Sequence, residues 1–397
     1  MNTDLCFKKA DILLPKKDFD KFAVIACDQF TSEPEYWEKA EEFTKGYNTA
    51  LDLILPEIRL KEDNAAEIER INGNMKRYLS DGVFSEFKDS FVFVRRRQSD
   101  GVMRLGLVGK IDLKEYSYLD GAAASVRATE QTVIERIPPR AEIRKGAAIE
   151  LPHIMLLFDD RDDVVMGNLE KEKDNLTKLY GFDLFGGSGS IEGYRVTGSA
   201  ADAVLRNLCG LKEKNGGVLF CVGDGNHSLA AAKSIYEESG LHKDRYALAE
   251  IVNIHSPAIN FEPIYRVIFG VDAEKTVDEF VRFCSVSGGK YKHTFDCVSS
   301  SFTKTVTVKS DKRLPVAALQ DFLDSEKSDF KVDYIHGTDS VKKIAAAKED
   351  RLGFIFAGMS KSELFGAILE NGSLPRKTFS LGHALDKRFY LEAREIR

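Results

Sequence analysis

The sequence predicts a mixed α/β protein, and two kinds of pattern carry this prediction. Short apolar runs that end in polar residues indicate buried strands, and 218–222 is the most distinct of them. Apolar residues at helical spacing indicate amphipathic helices, as over 63–82. We expect a core made of a strand, a tight turn and a helix at 218–239, with additional α/β lobes built around it.

Length and composition are typical of a globular, soluble protein. The 397 residues allow two or three domains. The chain has 57 basic and 63 acidic residues, which gives a net charge of −6. This charge argues against nucleic acid or an anionic membrane as partner. The N-terminus lacks the pattern of a signal peptide and no apolar run is long enough to span a bilayer, so we expect a cytoplasmic protein.

Cysteine and histidine are scattered along the chain. The six cysteines form no CxxC pair, and the seven histidines show no metal-binding spacing. We therefore expect neither a disulfide framework nor a zinc or iron site, and no metal ligand is assigned.

The first of four predicted regions covers 1–120 and contains both strands and helices. An apolar run over 22–27 ends in Asp28, which is either a ligand contact at the end of a strand or a turn residue. The helix over 63–82 follows. Two apolar segments within 90–110, joined by an Asp-Gly turn, predict a β-hairpin.

The second region, 121–270, holds the strand-turn-helix core. It opens on a polar turn with four candidate ligand-binding or catalytic residues, namely Arg127, Thr129, Glu130 and Thr132. A buried strand over 151–158 and a helix reaching Tyr180 come next. After the core, the sequence predicts a strand over 246–255 and an apolar segment that carries Arg266.

The remaining chain divides into an inserted α/β lobe, 271–350, and a C-terminal segment, 351–397. The lobe alternates helix and strand patterns. The C-terminal segment contains a strand, a helix and a second polar stretch, and we expect it to return to the site with four further ligand-binding candidates: Arg376, Lys377, Thr378 and Arg388.

The turn Gly223-Asp224-Gly225-Asn226-His227-Ser228 is the main candidate site. Its two glycines admit positive φ angles and close approach of a ligand. The helix that follows, expected from Leu229, begins with backbone N–H groups that lack intrahelical partners and with the positive end of the helix dipole. A phosphate or carboxylate satisfies both. The four polar side chains of the turn would surround that anion.

A purely structural interpretation of the same turn stays open. Asn226 or Ser228 caps the helix in this interpretation, and Asp224 forms an Asx turn.

The turn and the three alanines and lysine after it resemble the Asp-Gly-His-His-Arg segment of the domain of unknown function 1015 family, a group of uncharacterised bacterial proteins. Three further segments resemble family motifs in the same order: 127–132, 261–266 and 374–380. The resemblance runs from about Ala10 to Glu392.

The central turn is also similar to that of the ParB and sulfiredoxin superfamily, which includes free serine kinases. That resemblance implies a ParB/sulfiredoxin-like core in which strand, turn and helix hold nucleotide phosphates. The superfamily usually has an arginine where this chain has Ser228, so a bidentate phosphate contact is missing unless Arg266, Lys377 or Arg388 supplies it. Asn226 replaces the cysteine that sulfiredoxin chemistry needs.

We therefore expect an ATP/ADP-dependent small-molecule kinase that transfers a phosphoryl group to a small hydroxylated acceptor. ATP, ADP or CTP with Mg²⁺ would be the cofactor, and the partner an anionic small molecule. Asp224, His227, Glu130 and Asp28 are the candidate metal ligands or bases, and nearby cations would stabilise the transferred charge. The alternative is a non-catalytic module that senses a nucleotide or metabolite. The sequence does not predict an oligomeric state.

Overall fold

The structure, a computed structural model, describes residues 5–119, 122–132, 134–325 and 331–396. The chain forms two compact units. The first comprises Met1–Ala128, Thr132–Ile259 and Gly382–Arg397, and the second comprises Thr129–Gln131 and Asn260–Leu381.

Up to residue 259, the first unit contains thirteen described strands and seven described α-helices. The strands are β1 (Phe7–Lys8), β2 (Ala10–Pro15), β3 (Val24–Ile25), β4 (Phe84–Arg97), β5 (Met103–Asp112), β6 (Tyr116–Ser117), β7 (Val126–Arg127), β8 (Ile149–Glu150), β9 (Ile154–Phe158), β10 (Thr177–Asp183), β11 (Ser190–Val196), β12 (Phe220–Asp224) and β13 (Tyr246–Asn253). The helices are α1 (Phe19–Phe22), α2 (Pro34–Thr44), α3 (Ala65–Ser80), α4 (Ile137–Lys145), α5 (Met166–Glu172), α6 (Gly198–Lys214) and α7 (Asn226–Ser239).

The second unit adds six described strands and four described α-helices. The strands are β14 (Phe261–Phe269), β15 (Tyr291–Val298), β16 (Thr303–Ser310), β17 (Lys331–His336), β18 (Arg351–Phe356) and β19 (Phe379–Leu381). The helices are α8 (Ala273–Ser287), α9 (Pro315–Ser325), α10 (Thr338–Ala346) and α11 (Leu364–Asn371). The chain then returns to the first unit with β20 (Phe389–Tyr390) and β21 (Arg394–Glu395).

A mixed sheet organises the first unit. Its strand order is β10-β11-β4-β5-β13-β9-β12-β7-β6, with β1 beside β5 and β2 beside β4. Phe91 and Phe93 of β4 belong to the hydrophobic core on one face, while Val92 and Val94 belong to the core on the other. Both faces are therefore covered, which explains why the strands read as continuous apolar runs.

The last residues of the chain, from Gly382 onward, are built into the first unit. β20 pairs with β3, and β21 pairs with β8. The pairing of β20 with β3 places residues 388–390 beside residues 24–26, shortly before Asp28 in the chain.

The second unit has its own antiparallel sheet, in the order β16-β15-β18-β14-β17, with β19 beside the start of β14. Aromatic rings fill its core: Phe280 of α8 contacts Phe295, Phe322 and Phe354 in edge-on or tilted geometry. The unit therefore has a core independent of the first.

The mixed α/β class predicted from the sequence is confirmed. The helix over 63–82, the hairpin within 90–110 and the strands near 154, 220, 246 and 261 are present, with ends shifted by a few residues. The helix expected to reach Tyr180 is wrong beyond Glu172, because residues 177–183 form β10 at the edge of the sheet. Pairing with β11 overrides the local pattern there.

The two units differ from the four regions predicted from the sequence. Regions 1–120 and 121–270 share one sheet, since β13 pairs with β5 on one side and with β9 on the other. Region 351–397 is divided, because its last residues join the first unit and the rest join the second.

Candidate functional site

The turn between β12 and α7 is tighter than the sequence suggested. β12 runs to Asp224 and α7 starts at Asn226, so the helix begins three residues earlier than expected. Gly225 alone reverses the chain, with φ of 76°. A β-carbon there would lie 2.9 Å from Cδ2 of His153 and 3.0 Å from Cα of Ile154. Glycine is thus required both for the left-handed backbone and for space.

Asp224 shapes the turn and also pairs with a cation. Its Oδ1 accepts a hydrogen bond of 2.9 Å from the N–H of Gly225. Its Oδ2 accepts one of 3.1 Å from Nζ of Lys387, which the C-terminal segment supplies. The side chains are 24% and 17% exposed, so this ion pair lies where a ligand can reach it.

Asp28 forms a second pair at this site, with His153. Oδ2 of Asp28 lies 3.3 Å from Nε2 of His153, and Oδ1 accepts a 2.8 Å hydrogen bond from Nε2 of Gln29. Burial alone would raise the pKa of Asp28, but the charge of His153, together with Lys387, holds that pKa well below its ordinary value. Asp28 is therefore a carboxylate at neutral pH.

His153 is held in its charged form by its neighbours. Burial acts against the imidazolium, but the contacts with Tyr390 and with the Asp28 carboxylate raise the pKa of His153 well above its ordinary value. Nδ1 of His153 lies 2.7 Å from the hydroxyl of Tyr390, which in turn donates to Sγ of Cys27 at 3.2 Å. Burial raises the pKa of Tyr390, so its phenol stays neutral. Four residues thus form one hydrogen-bonded chain.

The first turn of α7 is tied to the polar loop before α4. Nδ2 of Asn226 donates to Oγ1 of Thr132 at 3.1 Å, and Oδ1 of Asn226 accepts from the hydroxyl of Tyr116 at 3.4 Å. His227 and Ser228 follow in the same turn and are half-buried. Arg127, at the end of β7, donates to the carbonyl of Ala122.

The second unit assembles the other group of predicted residues around the turn at 375–378. Glu130 accepts a 3.1 Å hydrogen bond from the N–H of Thr378, and burial raises the pKa of this carboxyl. Arg266 is fully buried and donates to the carbonyls of Arg376 and Lys377, both at 3.0 Å. Burial lowers the pKa of Arg266 to about 10. Both side chains therefore fix the backbone of this turn.

The exposed part of that turn is basic. Arg376 and Lys377 are exposed, and Nζ of Lys377 lies 5.3 Å from the ring centre of Tyr334. Thr378 is buried, and its hydroxyl donates to the carbonyl of Pro375 at 2.6 Å. Thr129 is also buried, with its carbonyl bonded to the N–H of Leu374.

Arg388 lies inside the first unit. It is 3% exposed and donates to the carboxylates of Glu250 and Glu392 and, at 3.1 Å, to the carbonyl of Pro152. Its guanidinium is occupied by these partners.

Within the first unit, Asp28 pairs with His153 and Asp224 pairs with Lys387, whose charge also acts on Asp28. In the same unit, Thr132 is bonded to Asn226. The structure groups Thr129, Glu130, Arg266 and the residues 376–378 within the second. One site that contains both groups stays a prediction.

Sequence reasoning did not assign roles to His153, Lys387 or Tyr390. Two signals existed: His153 opens the apolar run predicted as a strand, and Lys387 belongs to a basic pair near the C-terminus.

Neither a metal cluster nor a membrane-spanning helix is present in the part of the chain that the structure describes. That part contains no group of three or more His, Cys, Asp or Glu side chains arranged to hold a metal ion. None of its helices combines the length and the apolar character that a membrane crossing requires.

The sequence profile of one family matches residues 9–326, and that family is described as a protein of unknown function, DUF1015. The chain belongs to the DUF1015 family. This confirms the family resemblance. The segment 374–380, which resembled a family motif, lies outside the matched residues, so its correspondence stays a prediction. A search of curated proteins gave no significant match.

A comparison with solved structures gives three proteins of low similarity among its matches. A free serine kinase in complex with AMP has 12% identity and a TM-score of 0.39, over 71% of this DUF1015 chain and 90% of that chain. A conserved hypothetical protein from Pyrococcus furiosus has 11% identity and a TM-score of 0.35, over 72% and 94%. SbnI from Staphylococcus aureus, truncated at its C-terminus, has 8% identity and a TM-score of 0.37, over 69% and 82%. Likeness of this degree does not assign an activity.

Proposed function

We propose that the site of the first unit binds a nucleotide or phosphorylated metabolite and transfers a phosphoryl group to a small hydroxylated acceptor. The observation that supports this most is the pairing of two carboxylates, Asp28 and Asp224, with two cations, His153 and Lys387, at the start of α7. Phosphoryl transfer needs this combination, because catalysis depends on positioning and on neutralising the phosphate charge.

The two cations and the helix start form the anion-binding side of the proposed site. Within the described part of the chain, Nζ of Lys387 donates to a single atom, Oδ2 of Asp224, and an ammonium group has three donors. The N–H groups at the start of α7 and the helix dipole add to the attraction for phosphate. Lys387 thereby takes the place of the arginine missing at Ser228.

The two carboxylates have different roles in this proposal. Asp28 is ionised and accepts the proton of the acceptor hydroxyl, while the acceptor oxygen bonds to the terminal phosphorus and the bond to the bridging oxygen breaks. Asp224 fits the Mg²⁺ that accompanies a nucleotide, since that ion is usually held by one or two carboxylates plus phosphate oxygens. Bound there, Mg²⁺ would neutralise phosphate charge.

The residues of the second unit have a secondary place in the proposal. Glu130 and Arg266 hold the turn at 375–378, which supports a role in presenting Arg376 and Lys377 to an anionic ligand. We leave Arg388 out of the ligand-binding set because Glu250 and Glu392 occupy it. His227, Arg127 and Thr129 are candidates without an assigned step.

The activity test incubates the protein with Mg²⁺, one of ATP, ADP or CTP, and a panel of hydroxylated acceptors that includes serine, with ³¹P NMR as readout. We expect turnover with at least one pair of substrates. Asp224→Asn and Asp28→Asn should each lower kcat/KM by about 100-fold or more while the fold is retained. Asp162→Asn, in an exposed pair with Lys214, is the matched control and should have no effect. Full activity of Asp224→Asn would contradict the role of that residue.

A nucleotide- or metabolite-sensing module without catalysis is the second candidate. The observation that favours it is Ser228, which stands where related turns carry a phosphate-binding arginine. Isothermal titration separates the two functions: nucleotide binding without turnover against any acceptor supports the sensor.

A further inference from the structure

A cavity of about 160 Å³ lies in the first unit, beside the candidate site. Aliphatic side chains make most of its wall, among them Leu53, Ile54, Leu55, Met75, Ile143 and Leu248. An engineered cavity of roughly 150 Å³ with a similar apolar lining stays dry and binds benzene. The volume therefore fits a ring or chain of about six carbon atoms.

Each charged group in the wall already has a partner of opposite charge, and that of His153 is Asp28. Arg140 pairs with Glu57. Arg144 lies 2.6 Å from Glu150, which also accepts hydrogen bonds from Arg394 and from the N–H of Leu248. A charged ligand would find no unpaired counter-ion among these groups, and burying its charge would be costly. The wall thus selects a neutral molecule.

Part of the cavity wall is polar and includes residues of the proposed site. Cys27, His153, Ser228 and Tyr390 belong to this part, and His153 is the partner of Asp28. The Tyr390 hydroxyl is saturated by bonds to His153, to the N–H of Cys27 and to Sγ of Cys27. Among the described residues, by contrast, no hydrogen bond involves the Ser228 hydroxyl. Ser228 is therefore the group that can bind a ligand hydroxyl.

We propose that this cavity binds a neutral alcohol with an apolar body of about six carbon atoms, its hydroxyl bonded to Ser228 beside His153. The inference rests on the proposed function in one respect: it names the class of acceptor whose hydroxyl is phosphorylated. Serine, which carries two charges and almost no apolar surface, matches this wall poorly.

Cyclohexanol is the probe ligand. Two compounds serve as comparisons: myo-inositol, a ring of the same size that is polar throughout, and serine. Alkylation of Cys27 by N-ethylmaleimide, followed by peptide mass spectrometry, reports occupancy. Cys209 is half-buried as well but does not line the cavity, and it is the internal control. We expect cyclohexanol to slow alkylation of Cys27 and not of Cys209, and expect no protection from inositol or serine. Unchanged alkylation of Cys27 in saturating cyclohexanol would overturn the proposal.

Two variants locate the ligand. Ala231→Leu adds volume at the cavity wall and should abolish protection, whereas Ala66→Leu, at an exposed position of α3, should leave it intact. Ser228→Ala should weaken cyclohexanol binding about fivefold to tenfold through loss of one neutral hydrogen bond. If Ala231→Leu does not fold, the Ser228→Ala variant alone tests the proposal. An unchanged affinity of that variant for cyclohexanol contradicts it.

The outcome is separable from that of the proposed function. Turnover of serine by a protein that does not bind cyclohexanol would refute only this inference. Cyclohexanol binding without any nucleotide turnover would refute the kinase, and with it the role of the alcohol as acceptor, but would leave the binding of a neutral alcohol in this cavity intact.

Discussion

The Asp28–His153 pair has a pH dependence whose sign follows from its two pKa shifts. The pKa of Asp28 is lowered in the folded protein, so its contribution to stability is present above the unfolded value of about 4 and is lost on acidification. The pKa of His153 is raised, so its contribution is complete below the unfolded value of about 6.5 and is lost as pH rises through the folded value. The pair therefore stabilises the fold most between about pH 4 and 6.5.

We predict that His153→Gln lowers the free energy of unfolding more at pH 5.5 than at pH 9.5. Guanidinium titrations of wild type and variant at both pH values give the difference directly. His242→Gln removes an exposed imidazole and is the control. If the variant lost the same free energy of unfolding at both pH values, the contact with Asp28 would not stabilise the protonated form of His153.

Single residues were only partly predictable at this site. Asp28 and Asp224 could be found, because each follows an apolar run and polar residues at strand ends commonly contact ligands. The partners of these two aspartates could not be found in this way. His153 lies 126 residues from Cys27, the neighbour of Asp28 in the chain, and Lys387 lies 163 residues from Asp224. Local periodicity contains no information about contacts made by such distant parts of the chain.

At the scale of elements, the strand-turn-helix of β12 and α7 depends on the backbone of one residue. Gly225 has φ of 76°, and its Cα faces His153 and Ile154. Gly240, at the other end of α7, has φ of 63°, but apart from its two chain neighbours none of the described residues has an atom within 4 Å of the point where its β-carbon would lie. Both glycines therefore require a left-handed backbone, but only Gly225 is also crowded by neighbouring atoms. A comparison of the two positions distinguishes the effect of backbone strain from the effect of crowding.

We predict that Gly225→Ala destabilises the protein clearly more than Gly240→Ala. The left-handed backbone costs an alanine about 1–2 kcal/mol at either position, and only at position 225 does a contact of 2.9 Å with His153 add to it. Chemical unfolding of both variants gives the comparison. Equal losses would show that the turn and His153 do not pack as described.

The element that the sequence predicted wrongly shows where local patterns fail. Residues 177–180 continue a helical spacing, yet they form β10, which pairs with β11. Tyr180 is buried there across from Gly193, whose missing side chain leaves room for the ring. The turn between β12 and α7 was identified because its glycines and its polar residues are adjacent in sequence, whereas Tyr180 and Gly193 are not.

At the scale of the whole molecule, the segment from Gly382 to the C-terminus is tied to the sheet of the first unit. Arg388 and Glu392 of that segment pair with each other, Arg388 also pairs with Glu250 of β13, the strand between β5 and β9, and all three are buried. Arg104 of β5 lies 3.9 Å from the same Glu250. The network joins the last strands of the chain to the middle of the sheet, an arrangement that no local pattern predicts.

We predict that Arg388→Met destabilises the protein by about 3–5 kcal/mol, because it leaves two buried carboxylates without their main cation. Guanidinium unfolding, read by tryptophan fluorescence from Trp37 in the first unit, measures the loss. Arg161→Met, which removes an exposed arginine 3.9 Å from Asp159, should change stability by no more than about 0.5 kcal/mol. If Arg388→Met were as stable as the wild type but no longer bound nucleotide, Arg388 would belong to the ligand-binding residues. Its guanidinium would then contact the ligand and would not be needed to stabilise the sheet.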